Sequence, residues 1–212
     1  MKLYIGNKKY SSWSFRPWIG LRAKGIEFEE ILVPFDMKAG NPEFKEFSPT
    51  GKVPCMQDGD HTIWESLAIL EYVADQFPEK HLWPQDIHAR AHARSVSAEM
   101  LGGFSGLRNE CPMNMARPHK ALEISESAQK DVKRIEQIWS ECLDKYGGPF
   151  LFGEFSIADA MYAPVVNRLQ IYCLSDHAAV QKYTDAMQSL SAWKEWDEAG
   201  RAEEWYVEED EV

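Results

Sequence analysis

The sequence predicts a two-part fold: an α+β unit of element order βαβαββα over about the first 77 residues, then an all-α helical bundle. Three observations predict it. Short apolar runs bounded by Gly, Pro and Asp occur only before Pro78. Longer stretches with helical spacing fill the remainder. Between them, residues 79–86 are polar and proline-bearing and read as a linker, giving domains at 1–78 and 87–212.

Lys2 to Gly6 reads as a first strand rather than a secretory leader, because it turns polar too soon. A loop through Trp13 follows. Phe15 to Lys24 is a helix with apolar Trp18, Ile19, Leu21 and Ala23, and Gly25 suits the left-handed residue beyond its end. Phe28 to Val33 is a second strand, stopped by Pro34. This strand–helix–strand order implies a right-handed crossover and a parallel pair. Asn41-Pro42-Glu43 opens a short helix, with Asn41 as cap and proline at the first helical position. Val53 to Gln57 and His61 to Trp64 form a hairpin around Asp58-Gly59-Asp60. Ser66 opens a helix with Leu67, Ile69, Leu70, Val73, Ala74 and Phe77 on its apolar side. Beyond the linker, helices are expected over Ile87 to about Met100, Leu122 to about Tyr146, Ser156 to Ile171, and two or more from Ala178 to Trp196.

Net charge is −11, and acids gather in Glu203-Glu204 and Glu208-Glu209-Asp210-Glu211. Nucleic acid is excluded as the main partner, since phosphate binding needs clustered Lys and Arg. The acidic tail reads as a solvated end. No apolar run approaches the roughly 18 residues of a membrane span. Cys55, Cys111, Cys142 and Cys173 are scattered without a C-x-x-C pair, which points to reduced, mostly buried thiols in a cytosolic protein. His88 and His92 stand four apart on a helix but have no third ligand, so they read as a solvated face and no metal is expected.

Three stretches could carry chemistry. Tyr10-Ser11-Ser12-Trp13-Ser14-Phe15-Arg16-Pro17 places three hydroxyls before the first helix. One is a cap. If Ser14 caps, Pro17 falls at the third helical position, where its missing N–H costs nothing; if Ser12 caps, one helix bond is forfeited. Either way, one or two hydroxyls remain. Lys52-Val53-Pro54 places a proline where it cannot donate to a ladder. It is either an edge strand or a cis-proline that leaves the Val53 backbone to a ligand. Glu65-Ser66 stands at a helix N-terminus, where N–H groups and the dipole favour an anion and a carboxylate suits an ammonium.

These stretches, in this order, resemble the cytosolic glutathione transferase family over the whole chain. The first part is similar to its thioredoxin-like domain and the second to its helical domain. Ser156 and Asp159 in Phe155-Ser156-Ile157-Ala158-Asp159 have capping-box spacing, with Asp for the more usual Glu, and match the family's motif in the central helix. Ser-Ser-Trp-Ser resembles the zeta-class Ser-Ser-Cys-Ser. The resemblance implies glutathione as co-substrate, a cytoplasmic homodimer, and detoxification-type conjugation of small hydrophobic electrophiles. It makes Ser11 the thiolate-stabilising hydroxyl, with Ser12 next. Val53 before a cis Pro54 would pair with the cysteinyl backbone, and Glu65 and Ser66 would hold the γ-glutamyl group. Lys52 would lie near the glycyl or γ-glutamyl end, with Lys38 as a weaker match for the glycyl carboxylate. Trp13, Met100, Phe104 and Arg108 are candidates for the electrophile pocket, with Leu107, Met113 and Met115 beside them. Met and aromatic stripes more often form core; Arg108 would suit an acidic substrate. Trp13 replaces the zeta cysteine, which disfavours disulfide chemistry there. Two alternatives remain: an isomerase of a maleyl-type diacid, and a non-catalytic glutathione-binding or regulatory protein.

Overall fold

The computed structural model describes residues 1–212. Strands β1 (Lys2–Ile5), β2 (Glu29–Leu32), β3 (Cys55–Asp58) and β4 (His61–Trp64) form one sheet of order β2-β1-β3-β4. β1 and β2 pair in parallel with Lys2 opposite Glu29, as the intervening helix α1 (Ser12–Ala23) requires. β3 runs antiparallel to β1, with Leu3 opposite Met56, and β4 antiparallel to β3. The side-chain alternation of β1 buries Leu3 and Ile5 completely.

Helix α2 (Ser66–Gln76) packs against α1. Gly20 makes this possible. A Cβ there would stand 2.5 Å from Leu70 Cδ2 and 3.5 Å from the Cβ of Ala160 in the helical part. α1 therefore touches a helix on either side of the chain's midpoint at the same turn.

The helical part comprises α3 (Ile87–Gly102), α4 (Ser105–Glu110), α5 (Glu126–Tyr146), α6 (Ile157–Ile171), α7 (Ala178–Ser189) and α8 (Ser191–Ala202). Asp86 caps α3 by accepting from the amides of His88 at 3.0 Å and Ala89 at 2.8 Å. His92 of α3 meets the Tyr146 hydroxyl at 3.0 Å.

Several expectations need correction. The helix at Asn41 is a 3₁₀ turn, Pro42–Glu46. Asn41 does not cap it, because its side-chain carbonyl accepts from Asp36 N at 2.7 Å and closes the preceding loop. α5 starts at Glu126, not Leu122. The amides of Lys120 and Leu122 donate to Ile171 and Tyr172, which holds that segment along the end of α6 until Ser125 caps α5. α4 went unread because six residues give too little periodicity. The acidic tail is solvated only in part: Glu204, Glu208, Glu209 and Glu211 are exposed, but the segment is anchored. Glu203 accepts from the amides of Lys8 at 2.7 Å and Lys9 at 3.0 Å, and Val207 is buried.

Asp159 organises the helical part. Fully buried, its carboxylate accepts from Leu151 N at 3.0 Å, Ser156 N at 2.8 Å, Ser156 Oγ at 2.9 Å and Tyr183 OH at 3.0 Å. The expected capping box is present at the start of α6. The same group also ties in α7 and the loop before α6. Burial pushes its pKa up while these four donors pull it down. Asp159→Ala leaves several buried donors unpaired and should destabilise the fold by about 3–5 kcal/mol. A denaturant titration showing a loss under about 1 kcal/mol would rule out this organising role.

Candidate active site

Two adjoining cavities lie where α1, the loop before β3, the start of α2 and the helical part meet. The larger, of about 450 Å³, is lined by Ser11, Ser12, Trp13, Lys52, Val53, Arg108, Arg168 and Asp210 among others. The smaller, of about 170 Å³, is lined by Trp13, Thr50, Lys52, Val53, Pro54 and Glu65. Trp13, Lys52 and Val53 border both.

The serines divide their work differently from the sequence expectation. Ser14 is fully buried, and its Oγ accepts from Gly6 N at 3.1 Å and from Ser11 Oγ at 2.8 Å. It staples the end of β1 to the first turn of α1. Ser11, rather than Ser14 or Ser12, is the N-cap, accepting from Ser14 N at 3.4 Å. The helix therefore starts early, at Ser12, and Pro17 stands inside it, unable to donate to the carbonyl of Trp13. The Ser12 hydroxyl has no partner within the protein and faces the larger cavity at the helix N-terminus. Tyr10, next door, is not a competing donor. Its hydroxyl donates to Glu211 Oε1 at 2.6 Å, and burial and that carboxylate raise its pKa.

The Val53–Pro54 bond is cis. Proline cannot donate, so β3 begins at Cys55 rather than at Val53. The backbone N–H and C=O of Val53 make no hydrogen bond within the protein, at the wall shared by both cavities. Cys55 points away. Its Sγ approaches the Phe47 carbonyl at 3.3 Å and burial raises its pKa.

Glu65 has φ +69°, a conformation costly for a residue with a side chain. It is exposed, lines the smaller cavity and immediately precedes α2. Ser66 lies differently from the expectation. It is wholly buried and its Oγ approaches Met161 Sδ at 4.0 Å, so only its amide, in the first turn of α2, remains for a ligand. Lys52 is exposed and borders both cavities. Lys38 lines neither. It flanks a separate hollow with Asp36 and Tyr206.

Of the electrophile-pocket candidates, Trp13 and Arg108 line the larger cavity. Met100 and Phe104 do not: both are buried in the core, as are Leu107 and Met115. Met113 reaches the cavity wall. Arg168 and Asp210 were not singled out from the sequence. Arg168 had a legible signal, being a charged residue inside the otherwise apolar α6.

The electrostatics are lopsided. Arg16, fully buried, lies with its guanidinium 4.0 Å from the Trp13 ring centre, and Arg108 lies 5.5 Å from the same ring. Arg16 Nε donates to Met161 O at 3.1 Å, Arg108 Nη1 to Leu101 O at 3.1 Å and Arg168 Nε to Cys111 O at 2.8 Å. None of the three pairs with a carboxylate. One terminal nitrogen on Arg16 and one on Arg168 are buried without a partner. Burial, then the neighbouring arginines, lower Arg16; burial and Arg108 lower Arg168 to about 10. Guanidinium stays charged regardless, so Lys52, Arg108 and Arg168 outnumber the one carboxylate that lines the larger cavity, Asp210.

No group of three or more His, Cys, Asp or Glu lies close enough to hold a metal. No helix is long and apolar enough to cross a membrane.

A four-stranded α/β half with a cis-proline loop and a serine-led first helix, docked on a helical bundle, defines the glutathione transferase class of fold. The family models describe the same division: "Glutathione S-transferase, N-terminal domain" matches residues 10–76 and "Glutathione S-transferase, C-terminal domain" residues 90–206. The chain belongs to the glutathione S-transferase family. Maleylacetoacetate isomerase of Rattus norvegicus is 30% identical over 192 residues, covering 87% of each chain. Glutathione S-transferase Z1 of Arabidopsis thaliana is 29% identical over 203 residues, covering 88% of this chain and 89% of the relative. A glutathione transferase homolog from Burkholderia, solved with bound glutathione, superposes with TM-score 0.73 at 25% identity over 95% of this chain and 98% of that one.

The serine assignments predict unequal costs. Ser14→Ala and Ser11→Ala should each destabilise by about 1–2 kcal/mol, through lost buried hydrogen bonds and a lost cap. Ser12→Ala should cost less than about 0.5 kcal/mol. Urea melts of the three variants decide this, and equal losses would contradict the division.

Proposed function

We propose that the chain is a glutathione transferase whose second substrate is a small electrophile bearing negative charge. The arginines carry this reading: Arg108 and Arg168 line the larger cavity, with Arg16 behind Trp13, and no carboxylate pairs with any of them. A site built for neutral hydrophobic electrophiles would not keep an excess of cations over carboxylates without ion-pair partners.

Glutathione fits the smaller cavity and its shared wall. The Val53 backbone pairs with the cysteinyl residue, as an added strand would. Glu65 takes the γ-glutamyl ammonium, and the Ser66 amide with the α2 N-terminus takes the γ-glutamyl carboxylate. Lys52 faces a terminal carboxylate. This extends the thiol toward Ser12. A thiol of pKa about 8.5 is only about 3% ionised at neutral pH, and lowering it by about two units needs about 2.7 kcal/mol. One hydrogen bond to a charged group contributes about 1.5–3 kcal/mol and a helix N-terminus about 0.3–1. The Ser12 hydroxyl at the start of α1 therefore suffices without a general base. Ser11, spent on the cap, supports it. The glutathione thiol gives its proton to solvent, and the thiolate adds to an electrophilic C=C carbon; the C–S bond forms as the π pair moves to the neighbouring carbon, which then takes a proton from solvent, while the arginines hold the substrate's carboxylate and the charge that develops beside it.

The likeness to maleylacetoacetate isomerases favours a second reading, in which the thiolate adds to a double bond, the resulting single bond rotates and the thiolate is expelled again as the double bond re-forms. A non-catalytic glutathione binder would show affinity without turnover. The chain works as a cytoplasmic homodimer in this reading, with residues 1–78 holding glutathione and 87–212 completing the electrophile side.

Two outcomes are expected. Ser12→Ala should remove most of the thiolate absorbance near 240 nm of bound glutathione, a loss of about ten-fold or more in its thiolate fraction at neutral pH. A larger loss in Ser11→Ala would move the role to Ser11. Arg108→Ala should lower kcat/KM for monoethyl maleate about ten-fold more than for diethyl maleate. Equal losses on the charged and neutral esters would sink the anionic-substrate reading.

A further inference from the structure

The acidic tail enters the cavity it was expected to leave to solvent. Asp210 lines the larger cavity with Ser12, Arg108 and Arg168. Its position is fastened from both sides. Upstream, Glu203 accepts from the amides of Lys8 and Lys9, the Trp205 carbonyl accepts from Lys9 Nζ at 3.1 Å, and Val207 is buried in the cavity wall. Downstream, Glu211 accepts from Tyr10 OH at 2.6 Å and the Val212 carbonyl accepts from Arg117 Nε at 2.9 Å. Residue 210 is bracketed by these anchors.

Asp210 and Arg168 each favour the other's charged form without direct contact. Neither Arg108 nor Arg168 forms an ion pair with Asp210. Burial, Glu209 and Glu211 push its pKa up and Arg168 pulls it down, to about 6 overall. At about 6 the group remains mostly carboxylate at neutral pH. The cavity wall carries positive charge at Arg108 and Arg168 and negative charge at Asp210.

We propose that Asp210 is a specificity-determining residue that restricts the electrophile to a single carboxylate, held by Arg108 and Arg168, with a neutral or hydrogen-bond-donating end turned toward Asp210. The proposal rests on the anionic-electrophile reading above. A second carboxylate would share one cavity of about 450 Å³ with Asp210. Like charges several ångströms apart at an effective dielectric near 20 discriminate by about ten-fold or more. The tail would thus act as built-in repulsion against diacids, setting this chain apart from an isomerase of a maleyl-type diacid.

The test is a series differing only in charge: diethyl maleate, monoethyl maleate and maleate. Asp210→Asn should raise the maleate-to-monoethyl-maleate ratio of kcat/KM about ten-fold or more, and Asp210→Glu should keep it near wild type. A merely structural effect scales all three compounds together and leaves the ratio unmoved. Calorimetric binding of succinate and monomethyl succinate to the protein loaded with S-methylglutathione gives the same ratio without turnover. A ratio within two-fold of wild type in both measurements overturns the assignment. If monoethyl maleate is preferred over diethyl maleate but the ratio does not move, only Asp210 is at fault. If wild-type protein shows no preference for charge and binds neither succinate probe, the anionic reading falls and this inference with it.

Discussion

The burial of α1 on nearly every side is the constraint on which the site depends. One face meets the sheet and α2, the other meets α6, and Gly20 permits both approaches in a single turn. A helix held so tightly cannot rotate, so its N-terminal residues are fixed relative to both halves. That is what brings a serine of the α/β half within one cavity of Arg168 on α6. Arg16 reinforces the arrangement at an electrostatic cost. Its side chain is fully buried, tied to the Met161 carbonyl of α6 and stacked on Trp13. A leucine of similar volume would seal the joint more cheaply. A charged residue there adds to the positive field at the site.

Charge is distributed against the overall balance. The chain carries −11, yet its central cavity is lined by Lys52, Arg108 and Arg168 against one carboxylate, Asp210. An acidic exterior around a cationic cavity focuses anionic ligands inward only at short range, because screening acts within about 8 Å at physiological ionic strength. Selectivity must therefore come from contacts inside the cavity rather than from long-range steering. Arg168, Arg108 and Asp210 are the groups positioned to supply it.

Much of the fold was legible because local rules and tertiary demands agree. The alternation of β1, the Asp58-Gly59-Asp60 turn, the parallel crossover and the Ser156/Asp159 start of α6 all follow from spacing. Val53, Pro54, Glu65, Trp13, Lys52 and Arg108 were found because backbone chemistry or resemblance marks them, and the structure gathers them around adjoining cavities. The failures share a cause: a distant partner takes over a group with a good local role. Asn41 had cap chemistry but closes the loop at Asp36. Ser66 turned its hydroxyl to Met161, ninety-five residues away. Met100 and Phe104 had the right type and the wrong direction, which helical spacing alone does not fix. The tail looked solvated because its charges suggest it, whereas its carboxylates find amides and a tyrosine hydroxyl that folding places nearby.

The serine run shows the same logic at its smallest scale. Three hydroxyls of equal chemistry precede one helix, and proline seemed to choose the cap among them. The choice is made instead by Gly6, whose amide at the end of β1 needs an acceptor and takes Ser14. Ser14 then accepts a hydrogen bond from the Ser11 hydroxyl, which leaves Ser11 its lone pairs for the helix amide and fixes it as the cap. Ser12 remains, unpaired and facing the cavity. The one free hydroxyl is thus specified by what its neighbours consume, and the strand that consumes them also carries the sheet. The geometry of the cavity wall and the fold are coupled here through one backbone N–H.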